Sequence, residues 1–545
     1  MNGTPSIPKI FAFIQARLGS TRYPYKVLNS IPVKGRTLLE HIHTRLKAIL
    51  TEEQIVFLIP EEDQSLLEYL KEKSFNYYCG SLDDVRKRFR DASKFYQADV
   101  ILRLTGDNPF VDTKAIETII EAWHVAFNQN TKLDLIYYSP LPLGMGIESF
   151  SRRALDKSSD IDEQRHLEHV SLHIKENPKD YTILKLPSPF PESIVSLRLT
   201  FDEELDYQTL LDIYDEVQSN TQNELFGAFE IYNLSLKNPD LFKKNQIVEQ
   251  VRFNLPKPQI ESKKSICIII GNPKEYGSGH WERMTILSVR LVLLGYEVSM
   301  QFNSTKISQG FDYFIIDSRE DYYDAKFKQP ILRIDELSQI RKNLISVEEC
   351  FKLGFIDLLP HPDSFGWSSK PEVLLSNFAN QSLSNIQNPI PSNTINSNNI
   401  IILCYAGNLN SENSKRLDNF LLSKYSNNTI IRIGGSEPIT MKINYEARLT
   451  KRNWWKYLSQ SDYFLSYFGQ GLMEAMYLRK KLASYSIGDY HTMLSRHIED
   501  IWSVPFLGDC NQEMEFSEFS NSYPIIYNTA HERIIQWLES QSYTV

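Results

Sequence analysis

A short stretch near the amino terminus combines fixed positive charge with a glycine. The apolar run over 10–14 predicts a buried strand, and the loop that follows carries cations at Arg17, Arg22 and Lys26. Gly19 lies between them, which lets backbone N–H groups approach a ligand while arginine and lysine neutralise phosphate oxygens. These residues indicate a polyphosphate site, and a solvated basic loop is the alternative.

A carboxylate follows another predicted strand. The buried run over 99–105 ends in Thr105-Gly106-Asp107. Ligands of open α/β sheets bind at the carboxyl ends of the strands, so Asp107 is a candidate Mg²⁺ ligand. An aspartate after a strand can instead cap the next helix, a role that suits Asp112 better.

The elements that must position these residues alternate between strand-like and helical patterns from residue 10 to about residue 220. This alternation is typical of a doubly wound α/β sheet. A segment that begins at Ser196 is predicted to be a further strand ending in acidic residues, of which Glu203, Glu204 and Asp206 could equally start a solvated helix. Helices are predicted over 38–50, 63–73, 85–96 and 113–123, and further strands over 54–59 and 133–138.

Length and composition limit the class of protein. With 545 residues, the chain should form at least two domains and is expected to form three packed units. The net charge of -9 disfavours general nucleic-acid binding. The five cysteines are scattered along the sequence, which favours a reducing cytoplasm. The first residues do not have the pattern of a signal peptide, and no apolar run approaches the roughly 18 residues of a membrane span, so neither is expected.

The basic loop also matches a known pattern. The run Gln15-Ala-Arg-Leu-Gly-Ser-Thr-Arg-x-Pro-x-Lys26 resembles the nucleotide loop of sugar cytidylyltransferases. The nearest group is the spore-coat polysaccharide cytidylyltransferases, relatives of the enzymes that make CMP-sialic acid and CMP-ketodeoxyoctonate. Tyr25 stands where this family usually has glycine. A cytidylyltransferase domain of Rossmann-like fold is therefore expected over 8–245.

The resemblance implies a role for each matching residue. Arg17, Arg22 and Lys26 would grip the triphosphate of CTP as catalytic residues, and Asp202 would join Asp107 in holding Mg²⁺. The segment Gly144-x-x-x-Glu148 and His169 would form the sugar pocket. The expected nucleotide-binding residues are Gln15, Ala16, Gly19, Ser20, Asp84, Thr105 and Gly106.

Three histidines are predicted to share one face of a helix that starts at Asp162. His166, His169 and His173 have a spacing that zinc could use, which is the alternative to a role in the sugar pocket or in packing. The family has Glu-His-Val where this chain has Glu168-His169-Val170.

A second module follows a predicted linker over 246–264. A strand over 265–271 leads into Gly277-x-Gly279-His280-x-x-Arg283 and a helix, whose amino terminus favours an anionic ligand. This motif resembles that of the nucleotide-sugar hydrolases of pseudaminic acid synthesis, which have the two-lobed glycosyltransferase B fold. His280 would then be catalytic, activating water on a UDP-sugar, and Gly277 and Gly279 would bind the nucleotide.

The same resemblance divides the module into a first lobe over 265–375, a connection rich in serine and asparagine over 376–399, and a second lobe over 400–545. Gly469 would contact the diphosphate and Glu474 the ribose. Phe468, Gly471 and Lys480-Lys481 depart from the usual pattern of that fold.

The sequence thus predicts an Mg²⁺-dependent cytidylyltransferase that activates an acidic sugar of the nonulosonic type with CTP, for surface polysaccharide or glycan synthesis. A UDP-sugar hydrolase in the C-terminal half is the second hypothesis, and a non-catalytic nucleotide-sugar binding module there is the third. The implied partners are CTP, an acidic sugar and a UDP-sugar. Formation of a homodimer is a further possibility that the sequence does not decide.

Overall fold

The structure, a computed structural model, describes residues 7–30, 35–157, 163–221, 223–249, 264–303, 307–318, 327–336, 344, 346–360, 371–387, 400–512 and 514–541. These residues fall into two compact units. The first comprises Met1–Lys263 with Val292–Tyr296, and the second comprises Lys264–Leu291 with Glu297–Val545. No helix among the described residues is long and apolar enough to cross a membrane.

A seven-stranded sheet forms the centre of the first unit. Its strands are β1 (Ile10–Gln15), β2 (Ile55–Pro60), β3 (Tyr77–Gly80), β4 (Val100–Thr105), β5 (Leu135–Ser139), β6 (Glu148–Ser151) and β7 (Ile183–Pro187). They are ordered β3-β2-β1-β4-β6-β5-β7, and β6 alone runs antiparallel to its two neighbours. The sheet is therefore mixed, with six strands in one direction and β6 in the other.

The helices of the first unit begin where the sequence provides caps. Thr37 and Glu40 form a capping box at one helix, and Asp84 and Asp112 accept backbone hydrogen bonds at two others. Asp112 thus has the capping role predicted for it. The helices are α1 (Leu38–Lys47), α2 (Gln64–Glu72), α3 (Val85–Phe95), α4 (Thr113–Asn128), α5 (Arg152–Asp156), α6 (Gln164–Glu168), α7 (Leu172–Glu176), α8 (Glu204–Thr221) and α9 (Ala228–Lys237).

Two predicted elements of this unit are wrong. The segment after Ser196 is not a strand, because within the described part of the chain it forms one isolated bridge, between Arg198 and Leu143, and α8 already begins at Glu204. The predicted histidine helix is instead two short helices, α6 and α7, interrupted after Glu168. Its expected start, Asp162, lies outside the described residues.

The second unit contains two parallel sheets. One has the order β12-β11-β10-β8-β9, and its strands are β8 (Ser265–Ile270), β9 (Glu297–Phe302), β10 (Tyr313–Asp317), β11 (Ile331–Ile334) and β12 (Phe355–Ile356). The other has the order β15-β14-β13-β16-β17-β18, with β13 (Ile401–Gly407), β14 (Thr429–Gly434), β15 (Ile443–Glu446), β16 (Tyr463–Tyr467), β17 (Lys481–Ser486) and β18 (Phe506–Asp509). Their apolar runs are buried, as expected for strands covered on both faces.

Helices connect the strands of these sheets. They are α10 (Pro273–Tyr276), α11 (Gly279–Leu293), Val347–Lys352, Asn377–Gln387, Ser411–Tyr425, Lys451–Gln460, Gln470–Tyr477, Asp489–Trp502 and Ala530–Gln541. Two parallel sheets are compatible with a two-lobed module, and the glycosyltransferase B fold stays a prediction.

The predicted connection over 376–399 contains regular structure in its first half. Asn377–Gln387 is a helix because Phe378, Ala379 and Leu383 recur at helical spacing and pack on the core of the last sheet. The rest of the connection and most of the predicted linker lie outside the described residues.

Candidate active site

The basic loop folds back on itself directly after β1. The backbone N–H groups of Ser20 and Tyr25 both donate to the carbonyl of Leu18, at 2.8 and 3.1 Å, and Leu18 N–H donates to Asp63 Oδ2 at 2.8 Å. These bonds hold Leu18 inward and leave Arg17 and Gly19 exposed. The loop therefore presents its cation and its bare backbone to solvent, as a phosphate site requires.

Arg17 lines a cavity of about 450 Å³ together with Gly19 and Asp83. Among the described residues, Arg17 has no hydrogen-bond or ion-pair partner. Asp84, expected to bind nucleotide, turns its carboxylate to the N–H of Lys87 at 2.7 Å and caps α3. Ser20, also expected there, accepts the N–H of Tyr23 at 3.3 Å.

Lys26 lies at the centre of a set of oxygen atoms. Its Nζ donates to Asp107 Oδ2 at 2.9 Å, to Asp202 Oδ1 at 3.0 Å and to the carbonyl of Phe201 at 2.8 Å. Arg22 Nη2 adds a further bond of 2.8 Å to Asp202 Oδ1. The structure thus brings two of the three loop cations and both predicted metal ligands to one point.

Backbone pairing, rather than a sheet ladder, delivers Asp202 to this point. Leu143 pairs through its N–H and carbonyl with the segment 197–199, and the N–H of Phe201 donates to the carbonyl of Asp107 at 2.9 Å. Gly144 makes the first pairing possible. It has φ of +93°, and a Cβ there would lie 2.6 Å from the backbone of Leu199.

Arg198 holds the acidic segment in place. Its guanidinium donates to Asp202 Oδ2 at 2.9 Å and to both oxygens of Asp206, which is fully buried. Burial alone would raise the pKa of Asp202, but the charges of Lys26 and Arg22 and the bonds from Lys26 and Arg198 lower it overall. Asp206 is therefore a buried anchor rather than part of a solvated helix start.

The carboxyl ends of β1 and β4 meet at the same place. Gly106 N–H donates to the carbonyl of Gln15 at 2.9 Å, and Thr105 Oγ1 donates to Asp107 Oδ1 at 2.5 Å. Gly106 cannot be larger without movement, because a Cβ would lie 3.1 to 3.3 Å from Leu39, Val27 and Ala16. The hydrogen bonds from Thr105 and Lys26 orient the Asp107 carboxylate.

The oxygen set around Lys26 suits a hard divalent cation. Two carboxylates and one carbonyl already surround a positive group, and Mg²⁺ or Mn²⁺ takes one or two carboxylates with water completing its shell. Within the described part of the chain, no group of three or more His, Cys, Asp or Glu could hold a metal. A divalent cation held by Asp107 and Asp202 would take its remaining ligands from water or from phosphate oxygens.

Glu148 lies in a cavity of about 590 Å³ next to Asn108 and Thr105. It accepts hydrogen bonds from Ser171 and Lys175, and Arg103 Nη1 lies 3.6 Å from its Oε2. Burial would raise the pKa of Glu148, but the charges of Lys175 and Arg103 outweigh burial and lower it to about 2. Glu148 is therefore an ionised hydrogen-bond acceptor in this cavity.

The three histidines do not converge. His166 pairs with Glu176 at 2.7 Å, His173 faces the carbonyl of Ala154 at 3.3 Å, and His169 is half-buried at the end of α6. Burial lowers the pKa of His169, and the charges of Glu168 and Glu148 oppose that shift without reversing it. The three side chains therefore have separate surroundings, and their arrangement does not support the zinc alternative.

Comparison with known proteins identifies this unit. Residues 11–231 match the family model described as cytidylyltransferase. The uncharacterized protein MJ1063 of Methanocaldococcus jannaschii is 32% identical over 248 residues, covering 45% of this chain and 98% of that protein. The spore coat polysaccharide biosynthesis protein SpsF of Bacillus subtilis is 31% identical over 239 residues, covering 42% and 95%.

The chain belongs to the cytidylyltransferase family. A solved cytidylyltransferase from Leptospira borgpetersenii is 27% identical and covers 45% of this chain and 100% of its own, with a TM-score of 0.39. The family match, over residues 11–231, lies within the first unit.

Sequence reasoning missed several residues of the cytidylyltransferase site. Arg198 could have been found from its position four and eight residues before Asp202 and Asp206. Arg103 precedes Thr105 on β4 and therefore points to the same face of the sheet. No sequence pattern pointed to Lys175 and Ser171, because the packing around α7 brings them to Glu148 from distant positions in the sequence.

The second unit holds a separate polar cluster around His280. His280 Nδ1 lies 2.6 Å from Asp317 Oδ1 at the end of β10. Arg283 donates to Asp317 at 2.5 and 2.6 Å and to Asp335 at 2.6 Å. Burial would raise the pKa of Asp317, but the charges of Arg283 and His280 lower it to about 2. Asp317 was not predicted, and its place at a strand end next to an apolar run was the available signal.

Gly469 lies at the start of the helix Gln470–Tyr477 of this unit, and Glu474 lies inside that helix. Trp454 Nε1 donates to Glu474 Oε2 at 2.6 Å, and burial raises the pKa of Glu474 to about 7 despite the charge of Lys451. Gly469 is the N-cap of Gln470–Tyr477, and a Cβ on Gly279 would lie 3.3 Å from Gln470 Cβ. The amino termini of α11 and of this helix are therefore adjacent. Gly277 has φ of +77° and open space around it.

Proposed function

We propose that the first unit transfers the cytidylyl group of CTP to an acidic sugar of the nonulosonic type, with Mg²⁺ as cofactor. The observation that carries the proposal is the convergence of Arg22, Lys26, Asp107 and Asp202 beside the cavity that contains Glu148. Cations for a triphosphate, oxygens for a metal and a cavity for an acceptor are then all at one sheet edge.

In this reaction the anomeric hydroxyl oxygen of the sugar forms a bond to the α-phosphorus of CTP. The bond between the α-phosphorus and the bridging oxygen breaks, pyrophosphate leaves, and the hydroxyl proton passes to solvent. Mg²⁺, when bound, would neutralise phosphate oxygens, with Asp107 and Asp202 as its protein ligands. Arg17, Arg22 and Lys26 would bind the triphosphate, so that catalysis is mainly positioning and charge neutralisation.

The test is pyrophosphate release by the full chain with Mg²⁺, CTP and a panel of nonulosonic and octulosonic acids. Asp107→Asn should reduce release by at least about 100-fold while the protein stays folded, because one metal ligand loses its charge. Asp212→Asn is the matched control, since Asp212 is exposed and pairs with Lys244 at the surface. Near wild-type release by Asp107→Asn would refute the proposal.

A second activity is supported by the His280–Asp317 pair. Asp317 is ionised and can only accept, so its contact with Nδ1 favours the neutral tautomer that carries its proton on Nδ1 and leaves the lone pair of Nε2 available. Hydrolysis of a UDP-sugar would use that atom. Nε2 takes a proton from water, the water oxygen bonds to the anomeric carbon, and the bond from that carbon to UDP breaks.

The hydrolase hypothesis and the binding-module hypothesis make different predictions. Full-chain protein should release UDP from a UDP-diacetamido-trideoxyhexose, and His280→Ala should abolish the release. Stabilisation of the chain by UDP without any turnover would favour a module that binds nucleotide sugars and has no catalytic role.

A further inference from the structure

The cavity around Glu148 carries an unbalanced positive charge. Its charged lining residues are Arg103, Lys175 and Glu148, and the rest of the lining is polar or apolar. Glu148 accepts from Lys175 and lies 3.6 Å from Arg103, so one carboxylate faces two cations. The lining is therefore complementary to a ligand with a single negative charge.

Two polar atoms of the same cavity have no partner among the described residues. Arg103 Nε and Asn108 Oδ1 are buried and make no hydrogen bond. Buried polar atoms without partners are costly, so both atoms favour a ligand that supplies the missing bonds. Nε can only donate, which suits an anion, and Oδ1 can only accept, which suits a hydroxyl.

Arg103 is also held in position. Its Nη2 donates to Gln15 Oε1 at 3.0 Å, and Gln15 ends β1 immediately before the basic loop. The guanidinium therefore lies between the nucleotide loop and the Glu148 cavity, where an acceptor sugar must place its reacting end.

We propose that Arg103 and Lys175 are the specificity-determining residues that bind the carboxylate of the sugar, while Asn108 Oδ1 and Glu148 accept its hydroxyl groups. This inference rests on the proposed cytidylyl transfer and adds the residues that recognise the acidic group. A neutral sugar leaves the cationic pair without an anion, and a phosphorylated sugar brings more charge than the cavity balances.

The test measures sugar binding to the full chain by calorimetry, with Mg²⁺ and a CTP analogue whose α,β-bridge is methylene. Ketodeoxyoctonate and N-acetylneuraminate are compared with their carboxamides, in wild type and in Lys175→Met. The acid should lose about 10- to 100-fold in affinity in the variant, while its carboxamide loses less than about threefold. Arg103→Met should show the same pattern.

Lys185→Met is the matched control, because Lys185 is half-exposed and lies 3.7 Å from Glu192 outside the cavity. The inference would be overturned if the variants lost affinity equally for the acid and its carboxamide. It would also be overturned if wild-type protein bound the CTP analogue but neither acid. Pyrophosphate release is measured separately. Turnover of a neutral or phosphorylated sugar would overturn the carboxylate assignment and leave cytidylyl transfer standing.

Discussion

The ammonium group of Lys26 lies 2.9 Å from the carboxylate of Asp107, in the space between Asp107 and Asp202. Both aspartates are the proposed metal ligands, and Lys26 is proposed to bind the triphosphate. The ammonium group of Lys26 thus binds the same carboxylate oxygens that are proposed to bind the metal. Arrival of the triphosphate would give Lys26 another anionic partner and release the two carboxylates for the metal.

This arrangement predicts that Lys26 competes with the metal in the absence of nucleotide. Lys26→Met should raise the affinity for Mn²⁺ alone by about tenfold, because a positive charge next to both carboxylates is removed. The same variant should lose cytidylyl transfer. Electron paramagnetic resonance titration with Mn²⁺ measures the affinity, with the exposed Lys87→Met as control. Unchanged or weaker Mn²⁺ binding would show that Lys26 does not compete.

Arg198 is predicted to be essential for the stability of the first unit. It is the partner of Asp206, and both side chains are buried. Arg198→Met should lower the free energy of unfolding by about 3 to 5 kcal/mol, because a buried carboxylate loses its counter-charge. Arg165→Met should change it far less, since Arg165 pairs with Glu163 at the surface. Denaturant unfolding of the full chain measures both, and a loss for Arg198→Met no larger than that of the control would contradict the prediction.

Asp317 is predicted to make the second unit sensitive to acid. Its pKa in the folded chain is about 2, below the ordinary value of 3.8, so the unfolded chain binds more protons between these values. Its stabilising contribution is present above pH 4 and is lost as the pH falls toward 2. The free energy of unfolding of wild type should therefore fall by about 2 kcal/mol more than that of Asp317→Asn between pH 5 and pH 2.

Unfolding curves at several pH values measure this difference. The other acidic groups titrate in both proteins and cancel in the comparison. Parallel pH profiles for the two proteins would show that Asp317 carries no such linkage.

Tyr25 is predicted to be compatible with activity although the family usually has glycine there. Its backbone is left-handed, with φ of 59°, and its side chain is largely exposed. Tyr25→Gly should leave pyrophosphate release within about twofold and should not lower the melting temperature, because glycine adopts this conformation without strain. Tyr25→Val should lower the melting temperature, since a β-branched residue is strained there. A large gain of activity in Tyr25→Gly would instead show that Tyr25 obstructs the loop.

The sequence was most informative where local pattern and position along the sheet agree. The apolar runs before Gln15 and Asp107 end at the same sheet edge because both are parallel strands paired directly with each other. That pairing brings the loop and the first carboxylate together, as the pattern indicated. Asp112 and Asp84 follow the capping preferences of short acidic side chains.

The remaining features depend on contacts that no local pattern contains. The segment that carries Asp202 is held near Asp107 by an isolated bridge between Arg198 and Leu143. The hydrophobic pattern of this segment predicted a strand instead. Lys175 reaches Glu148 across 27 residues, and Asp317 reaches His280 across 37. Such pairs are set by how the segments pack, so their residues could not be chosen from spacing.

The most direct test of the central claim is detection of the product by phosphorus NMR. The full chain is incubated with Mg²⁺, an acidic sugar of the nonulosonic or octulosonic class, and CTP, UTP or ATP in separate reactions. The account predicts a sugar phosphodiester and pyrophosphate with CTP, and neither with the other two nucleotides. The absence of both products with CTP, from folded protein that binds CTP, would contradict it.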